Sequence, residues 1–297
     1  MRAKVDLHLH SHWSDGELSP TNLIKECKKL NLKTVSLTDH ETIWGVEEAI
    51  KAGEEVGIRV IPGIEFSCDF EGGEQHILGY FIEGFDKLAR NPELLGFLKD
   101  IGRKRKKRFL KMIEKIKKLG FEVEYSDVKK CAKGVLARPH LARAVIRNPR
   151  NAQKLAELEI DTSFERDFFR RYLLEGKEVY EDWKRPEVAE VIALIKKVGG
   201  MAVWAHPIWR NKSFKNTRRL AAIFQKFGLD GMEVFYPWHT RNRTEKLYKI
   251  AQELNLIVSA GSDFHSFRFN RYSKIFAWKG YQIKEKFSWL TKEPKKT

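Results

Sequence analysis

Along this chain, short apolar runs of β character repeatedly end on histidine or an acidic residue, and that repetition restricts the fold more than any other feature. Val5-Asp6-Leu7-His8-Leu9-His10 alternates as a strand does, which puts His8 and His10 on one face, and Ser14-Asp15-Gly16 follows as a turn. Thr34-Val35-Ser36-Leu37-Thr38 delivers Asp39 and His40 at its C-terminal tip, and Arg59-Val60-Ile61-Pro62-Gly63 leads to Glu65. A fourth run, His76-Ile77-Leu78-Gly79-Tyr80, carries His76 at its start. Helical stretches separate these runs, Pro20 to Leu30 and Trp44 to Val56, with Asn31 and Gly57 as stop signals. The rhythm resumes late in the chain. Glu187 to Val198 reads as helix, Met201 to Ala205 as a strand ending on His206, Leu229 to Phe235 as a strand, Arg243 to Leu254 as helix, and Leu256 to Ala260 as a strand leading to Asp263 and His265. The alternation predicts an α/β fold, and nearly every candidate ligand falls where (β/α) barrels build their sites, at the C-terminal ends of strands.

Imidazole and carboxylate together suit borderline and harder divalent ions, so the set points to a multinuclear centre and a metal-dependent hydrolase. A single His-x-His on a strand is commonly a surface pair; it is the joint occurrence of several ordered motifs that carries the inference. The three cysteines, Cys27, Cys68 and Cys131, are far apart and form neither a CxxC zinc site nor an activated-thiol motif. Cys27 reads as a small packed residue of an amphipathic helix.

From about Asn91 the strand rhythm stops. Leu94 to Leu119 reads as one long helix bearing Arg103-Lys104-Arg105-Lys106-Lys107-Arg108, and six consecutive charges spread around a helix axis, so the helix is expected to project into solvent. Helix starts at Tyr125 and Arg138 and a helical run from Arg166 to Leu174 follow. A basic helical insertion domain is therefore expected over 93–181, between barrel segments 1–92 and 182–297, placed to act as a lid or substrate clamp. With 56 Lys and Arg against 40 Asp and Glu, a net charge of +16 favours anionic partners such as nucleotides or nucleic acid. A solvated, heat-adapted surface is the other meaning of such charge. No apolar run of about 18 residues and no secretory segment is present, which argues against a membrane role and for the cytoplasm.

His8-Leu9-His10, Asp15-Gly16, Thr38-Asp39-His40, Gly63-Ile64-Glu65, His76, Ala205-His206-Pro207 and Gly261-Ser262-Asp263-Phe264-His265 resemble the PHP (polymerase and histidinol phosphatase) superfamily. Arg138-Pro139-His140-Leu141-Ala142-Arg143 and Gly231-Met232-Glu233-Val234-Phe235-Tyr236-Pro237 look like its stand-alone phosphoesterases acting on nucleoside 3′,5′-bisphosphates and short oligonucleotides. The resemblance implies a distorted (β/α)7 TIM-like barrel, the PHP fold, and a centre of three divalent ions, manganese foremost with zinc or iron as alternatives. It implies one ion on His8, His10, Glu65 and Asp263, with Glu65 bridging to a second on His76 and His206. A third would take Asp15, His40 and His265. Among these, Asp15, Glu65, His206 and Asp263 are the implied catalytic residues, acting through metal-activated water. Asp39 is expected to orient a ligating histidine. Arg138, His140 and Arg143 are the implied substrate contacts, with His239 as a further one; His239, with Arg241 and Arg243, reads equally as a solvated loop. Glu233 reads either as a strand cap or as a contact to the centre. His12 departs from the family pattern and has no assigned role.

The expected reaction is removal of the 3′-phosphate from nucleoside 3′,5′-bisphosphates, extended to stepwise 5′-3′ trimming of 5′-phosphorylated short oligonucleotides. Two other readings stay open: a histidinol-phosphate-type small-molecule phosphatase, which would not need the basic helix, and a nucleic-acid-binding module with structural metals. No protein partner is implied.

Overall fold

A computed structural model describes residues 4–82, 84–163, 165–208, 213–267, 275 and 287–291. Among these, β1 (Val5–Leu9), β2 (Thr34–Leu37), β3 (Arg59–Phe70), β4 (Gly73–Tyr80), β5 (Met201–Trp204), β6 (Gly231–Phe235) and β7 (Ile257–Ala260) form one sheet in sequence order. The ends nearly meet. Leu9 bridges Phe264 in parallel, the His10 amide donates to the Phe264 carbonyl at 3.0 Å, and the Asp263 amide donates to the His8 carbonyl at 2.8 Å. The result is the nearly closed seven-stranded barrel expected from the sequence, and its distortion has a definite location. β3 pairs antiparallel with β4, and β4 antiparallel with β5, while every other neighbouring pair is parallel.

That reversal explains the one ligand candidate at the start of its strand. Because β4 runs backwards, its N-terminal half lies level with the C-terminal halves of the others, and His76 arrives at the same rim. The third strand does not stop near Gly63. It continues to Phe70, because antiparallel pairing with β4 extends the ladder to a two-residue turn in which Glu71 (φ 49°) and Gly72 (φ 74°) are both left-handed.

Helices cover the outside. α1 (Pro20–Lys29) starts where Ser19 Oγ accepts from the Asn22 amide and Pro20 fills the first turn; α2 (Val46–Val56) ends at Gly57, whose φ of 69° closes the helix. Leu23, Ile24 and Cys27 of α1 pack with Ala49 and Ala52 of α2 against Leu9, Val35 and Leu37. Later in the chain come α3 (Phe85–Ala89), α4 (Pro92–Lys118), α5 (Tyr125–Lys130), α6 (Arg138–Ile146), α7 (Ala152–Glu157), α8 (Arg166–Phe168), α9 (Val188–Lys197), α10 (Phe214–Lys226) and α11 (Arg241–Glu253). Among them α9, α10 and α11 lie over β4 to β7 in the largest apolar cluster. The helix α10 was not foreseen from the sequence.

A separate apolar cluster is built from residues between Phe109 and Val179. α4 belongs to both. Leu94 and Ile101 in its first half pack with the barrel, Phe109, Met112, Ile113 and Ile116 with the second cluster. The six-charge run therefore does not project freely. Arg105 and Arg108, three residues apart and on one face, are buried, at 9% and 7% exposure.

Candidate metal centre

All nine candidate ligands meet at the rim where the strands end. Glu65, fully buried in β3, occupies the middle with its two oxygens facing different neighbours. Its Oε2 lies 3.2 Å from His8 Nε2, 3.1 Å from His10 Nε2 and 3.2 Å from His40 Nδ1. Its Oε1 lies 2.8 Å from His76 Nδ1 and 3.3 Å from His206 Nε2. Asp263 Oδ1 is 3.4 Å from His8 Nε2 and 3.2 Å from His10 Nε2. Asp15 Oδ1 is 3.3 Å from His265 Nε2 and 3.9 Å from His40 Nε2.

His76 Nδ1 and His206 Nε2 hydrogen-bond to Glu65 Oε1, but the other approaches are not hydrogen bonds. His8 Nε2, His10 Nε2, His40 Nδ1, Asp15 Oδ1 and Glu65 Oε2 are buried and make no hydrogen bond among the described residues. Buried polar atoms without partners are costly, and lone pairs converging in this way fit cations. Three donor groups satisfy a single-ion reach: His8, His10, Glu65 and Asp263; His10, Asp15, His40 and His265; and His40, Glu65 and His76. His10, His40 and Glu65 each fall in two of them. Backbone strain marks the same places, because Glu41 (φ 45°), His206 (φ 28°) and Asp263 (φ 54°) are left-handed without being glycine.

The electrostatics agree. Burial opposes a charged imidazole, yet Glu65 lifts His76 to about 10, and Asp15 and Asp263 lift His265 to about 10. His40 is the exception, pushed down to about 4 by burial; around His76 and His265 the carboxylates set up a negative field, which a divalent cation relieves.

Partners outside the centre set which nitrogen faces it. His8 Nδ1 donates to Glu233 Oε1 at 3.1 Å, and Glu233 Oε2 accepts from the His206 amide at 2.9 Å. His265 Nδ1 donates to the Asp263 carbonyl at 2.9 Å, leaving Nε2 toward Asp15. Glu233 thus holds two ligand positions at once, which its sequence context left open between capping and contact. Tyr236 donates to Asp263 Oδ2 at 3.1 Å. Asp39 bears on an imidazole through serine: it accepts from Ser11 Oγ and Ser14 Oγ, each at 2.6 Å, and Ser14 Oγ lies 3.5 Å from His10 Nδ1. His12 lies away from the centre, half-buried beside Trp13. Gly261 is required for closure, since a Cβ there would stand 2.1 Å from His8 Cβ and 2.3 Å from Glu233 Oε1.

The expected substrate contacts divide. His140 is buried, accepts from the Ala137 amide through Nδ1 at 3.1 Å, and is pushed down to about 4 by burial, so it is a neutral imidazole with Nε2 protonated. Arg138 stacks between Phe169 and Tyr180, 5.5 and 5.6 Å from their rings. Arg143 is instead ion-paired to Glu165 within the 109–179 cluster's surroundings. His239 is no solvated loop: it is buried and donates through Nδ1 to the Val234 carbonyl at 2.9 Å.

What the sequence reading missed is that Arg138 lies among three further guanidiniums, those of Arg105, Arg108 and Arg185. Burial, then the fields of Arg138, Arg105 and Arg185, push Arg108 down to about 10. Arg108 donates through Nε to the Glu181 carbonyl at 2.6 Å, while its Nη2 is buried with no hydrogen-bond partner among the described residues. Arg185 lies 3.4 Å from Glu74, which lies 3.4 Å from His76 Nε2, so the group adjoins the centre. Arg105 reaches Glu41, the residue after ligand His40, and donates to the Leu136 carbonyl at 3.1 Å. Glu41 also accepts from the Ser67 amide at 2.8 Å. Arg105→Met strands this buried carboxylate, and chemical unfolding is expected to show a loss of about 3 kcal/mol. A loss below about 0.5 kcal/mol, the usual range of surface changes, would show the pair to be dispensable.

The PHP domain family model matches residues 6–165. A 5′-3′ exoribonuclease of Haemophilus influenzae is 35% identical over 89% of this chain and 91% of its own length. A 3′,5′-nucleoside bisphosphate phosphatase of Chromobacterium violaceum is 29% identical over 89% of this chain and 88% of its own. A solved structure from Bifidobacterium adolescentis, assigned as a metal-dependent phosphoesterase, superposes with a TM-score of 0.78 at 27% identity, covering 92% of this chain and 91% of that one.

Proposed function

The chain belongs to the PHP domain family of metal-dependent phosphoesterases, and from that premise we propose that it removes the 3′-phosphate of nucleoside 3′,5′-bisphosphates and trims short 5′-phosphorylated oligonucleotides from the 5′ end. One observation carries this reading: Arg108, buried and with an Nη2 that has no hydrogen-bond partner among the described residues, lies among Arg105, Arg138 and Arg185 beside the carboxylate-imidazole centre, so a substrate with two phosphates finds a second anion site there. Guanidinium is suited to a phosphate that must be held but not attacked.

In this reading His8, His10, Glu65 and Asp263 would hold one ion, Glu65, His76 and His206 a second, and Asp15, His40 and His265 a third, with manganese foremost. Bound ions supply Lewis-acid activation of water and neutralise phosphoryl charge. The chain's own part is positioning. Glu233 and the Asp263 carbonyl fix the tautomers of His8 and His265, and His140 offers a neutral Nε2–H donor near Asp15. The barrel comprises 1–92 and 182–297 and the insertion 93–181, with α4 as the strut shared by both cores. No helix of the described residues is long and apolar enough to cross a membrane. Three unpaired thiols fit a reducing compartment, and we place the reaction in the cytoplasm.

Phosphate release from adenosine 3′,5′-bisphosphate, a 5′-phosphorylated oligonucleotide and histidinol phosphate, with manganese and with chelator, tests the reading. Chelator-sensitive turnover of the first two is expected, and turnover of histidinol phosphate alone would overturn it. Manganese at about 100 times its Kd should add about 2.7 kcal/mol to stability, and at about 2–4 °C per kcal/mol for a chain this size the chelated protein should melt at least about 5 °C lower. An unchanged melting temperature would reject the ion assignment.

A further inference from the structure

Beside the centre lies a cleft of about 460 Å³ over α1 and α2, lined by Trp13, Trp44, Thr21, Glu47, Glu48, Lys51 and Glu55. Its aromatic wall is unusual for a surface. Trp44 is 62% exposed and meets Trp13 edge-on, at 5.9 Å between rings and 72° between planes. An edge-on pair leaves ring face open to a planar ligand. Trp13 belongs to the loop that carries Asp15, its amide donating to Ser11 Oγ at 3.2 Å, and its carbonyl accepts from Val135 of the insertion at 2.8 Å. Trp44 stands between His40 and α2. The packing depends on Gly45, where a Cβ would come 2.6 Å from Trp13 Cδ1 and 3.1 Å from Asp39 Oδ2. The cleft is therefore built onto the two loops that deliver Asp15 and His40.

Its polar groups narrow the ligand. Three carboxylates repel phosphate, so a nucleic-acid backbone does not enter. Lys51 is occupied by Glu47 at 2.7 Å, and Glu48 accepts from the Thr21 amide and hydroxyl at 3.1 and 2.8 Å. What selects a base over a simple organic cation is position: the cleft lies against the loops that deliver Asp15 and His40, within reach of a strand whose phosphodiester is held at the centre. Adenine, cytosine and guanine present amine donors beside ring or carbonyl acceptors, together with a flat face; uracil has no exocyclic amine.

We propose that this cleft takes one nucleobase of an oligonucleotide, that of the nucleotide following the scissile phosphate, stacked on Trp44, and that it favours bases with an exocyclic amine. The inference rests on the phosphoesterase reading above and deepens it: a bisphosphate has no such base, so the cleft separates the two substrates.

Trp44→Ala changes an exposed side chain outside the ligand set. It is expected to raise KM for 5′-phosphorylated pentaadenylate about tenfold, the effect of losing one base-aromatic stack, while adenosine 3′,5′-bisphosphate changes less than about twofold. The wild-type preference for pentaadenylate over pentauridylate should shrink toward parity in the variant. A binding arm makes the outcome independent of turnover: anisotropy of labelled, phosphorothioate-linked pentaadenylate on the manganese-loaded protein, where Trp44→Ala should bind about tenfold more weakly. If wild type binds this probe but hydrolyses no oligonucleotide, the trimming activity fails and the cleft stands. Equal binding by variant and wild type overturns the cleft, as does an equal rise in KM for the bisphosphate.

Discussion

Glu65→Gln is expected to lower kcat by at least about a thousandfold, or some 4 kcal/mol at 1.36 kcal/mol per decade, together with loss of bound metal. The reason is the central place of this one carboxylate. Five imidazoles, those of His8, His10, His40, His76 and His206, lie within 3.3 Å of its two oxygens. Gln keeps the volume but replaces one acceptor oxygen with an amide that donates toward nitrogens or ions needing an acceptor. The local negative charge that attracts divalent ions falls by one as well. Elemental analysis and steady-state kinetics read both consequences, with circular dichroism as the control for fold. Glu233→Gln is the informative comparison: it touches His8 and the His206 amide from outside, and a loss of about 10- to 100-fold is expected of a residue that orients a ligand. Wild-type turnover and metal content in Glu65→Gln would remove Glu65 from the centre, and with it the bridging role.

Most candidate ligands were legible in the sequence because local structure fixes them: a strand presents alternate residues on one face, and the residues just past its end must lie at the rim. No long-range information is needed to place His8 and His10 together or Asp39 and His40 at a tip. The reversal of β4 was harder. Its signal is Glu71-Gly72-Gly73 between two runs of strand character, but ending β3 near Gly63 concealed the hairpin. The inward face of α4 could not be read at all. In Arg103 to Arg108 every position is cationic, so no periodicity marks Arg105 and Arg108 as buried; that follows from Glu41, the Glu181 carbonyl and two apolar clusters far away in sequence. Arg185 joins them from beyond the insertion, and only the closed chain brings it there.

Arg108→Met should expose what those buried guanidiniums are for. Arg105 is neutralised by Glu41, and Arg185 by Asp69, Glu74 and Asp182. Arg108 differs: its Nη2 has no hydrogen-bond partner among the described residues, and burial with like charge pushes it down to about 10. A fold that keeps this cation so buried forgoes stability for binding. Methionine retains the apolar stem and removes the charge, so the variant is expected to unfold at the same temperature as wild type or slightly higher. Binding should move the other way. One charge-assisted contact contributes roughly 1.5–3 kcal/mol, so KM for adenosine 3′,5′-bisphosphate should rise about 10- to 100-fold. Adenosine 3′-monophosphate, which has no second phosphate for the cluster, should change little in either direction. The preference of wild type for the bisphosphate over the monophosphate should thus largely disappear in the variant, while kcat for the two converges. A parallel rise in KM for both substrates would mean that Arg108 shapes the centre rather than the second phosphate site. A loss of stability with unchanged KM would mean that the cluster is held together by partners of its own and does not await an anion.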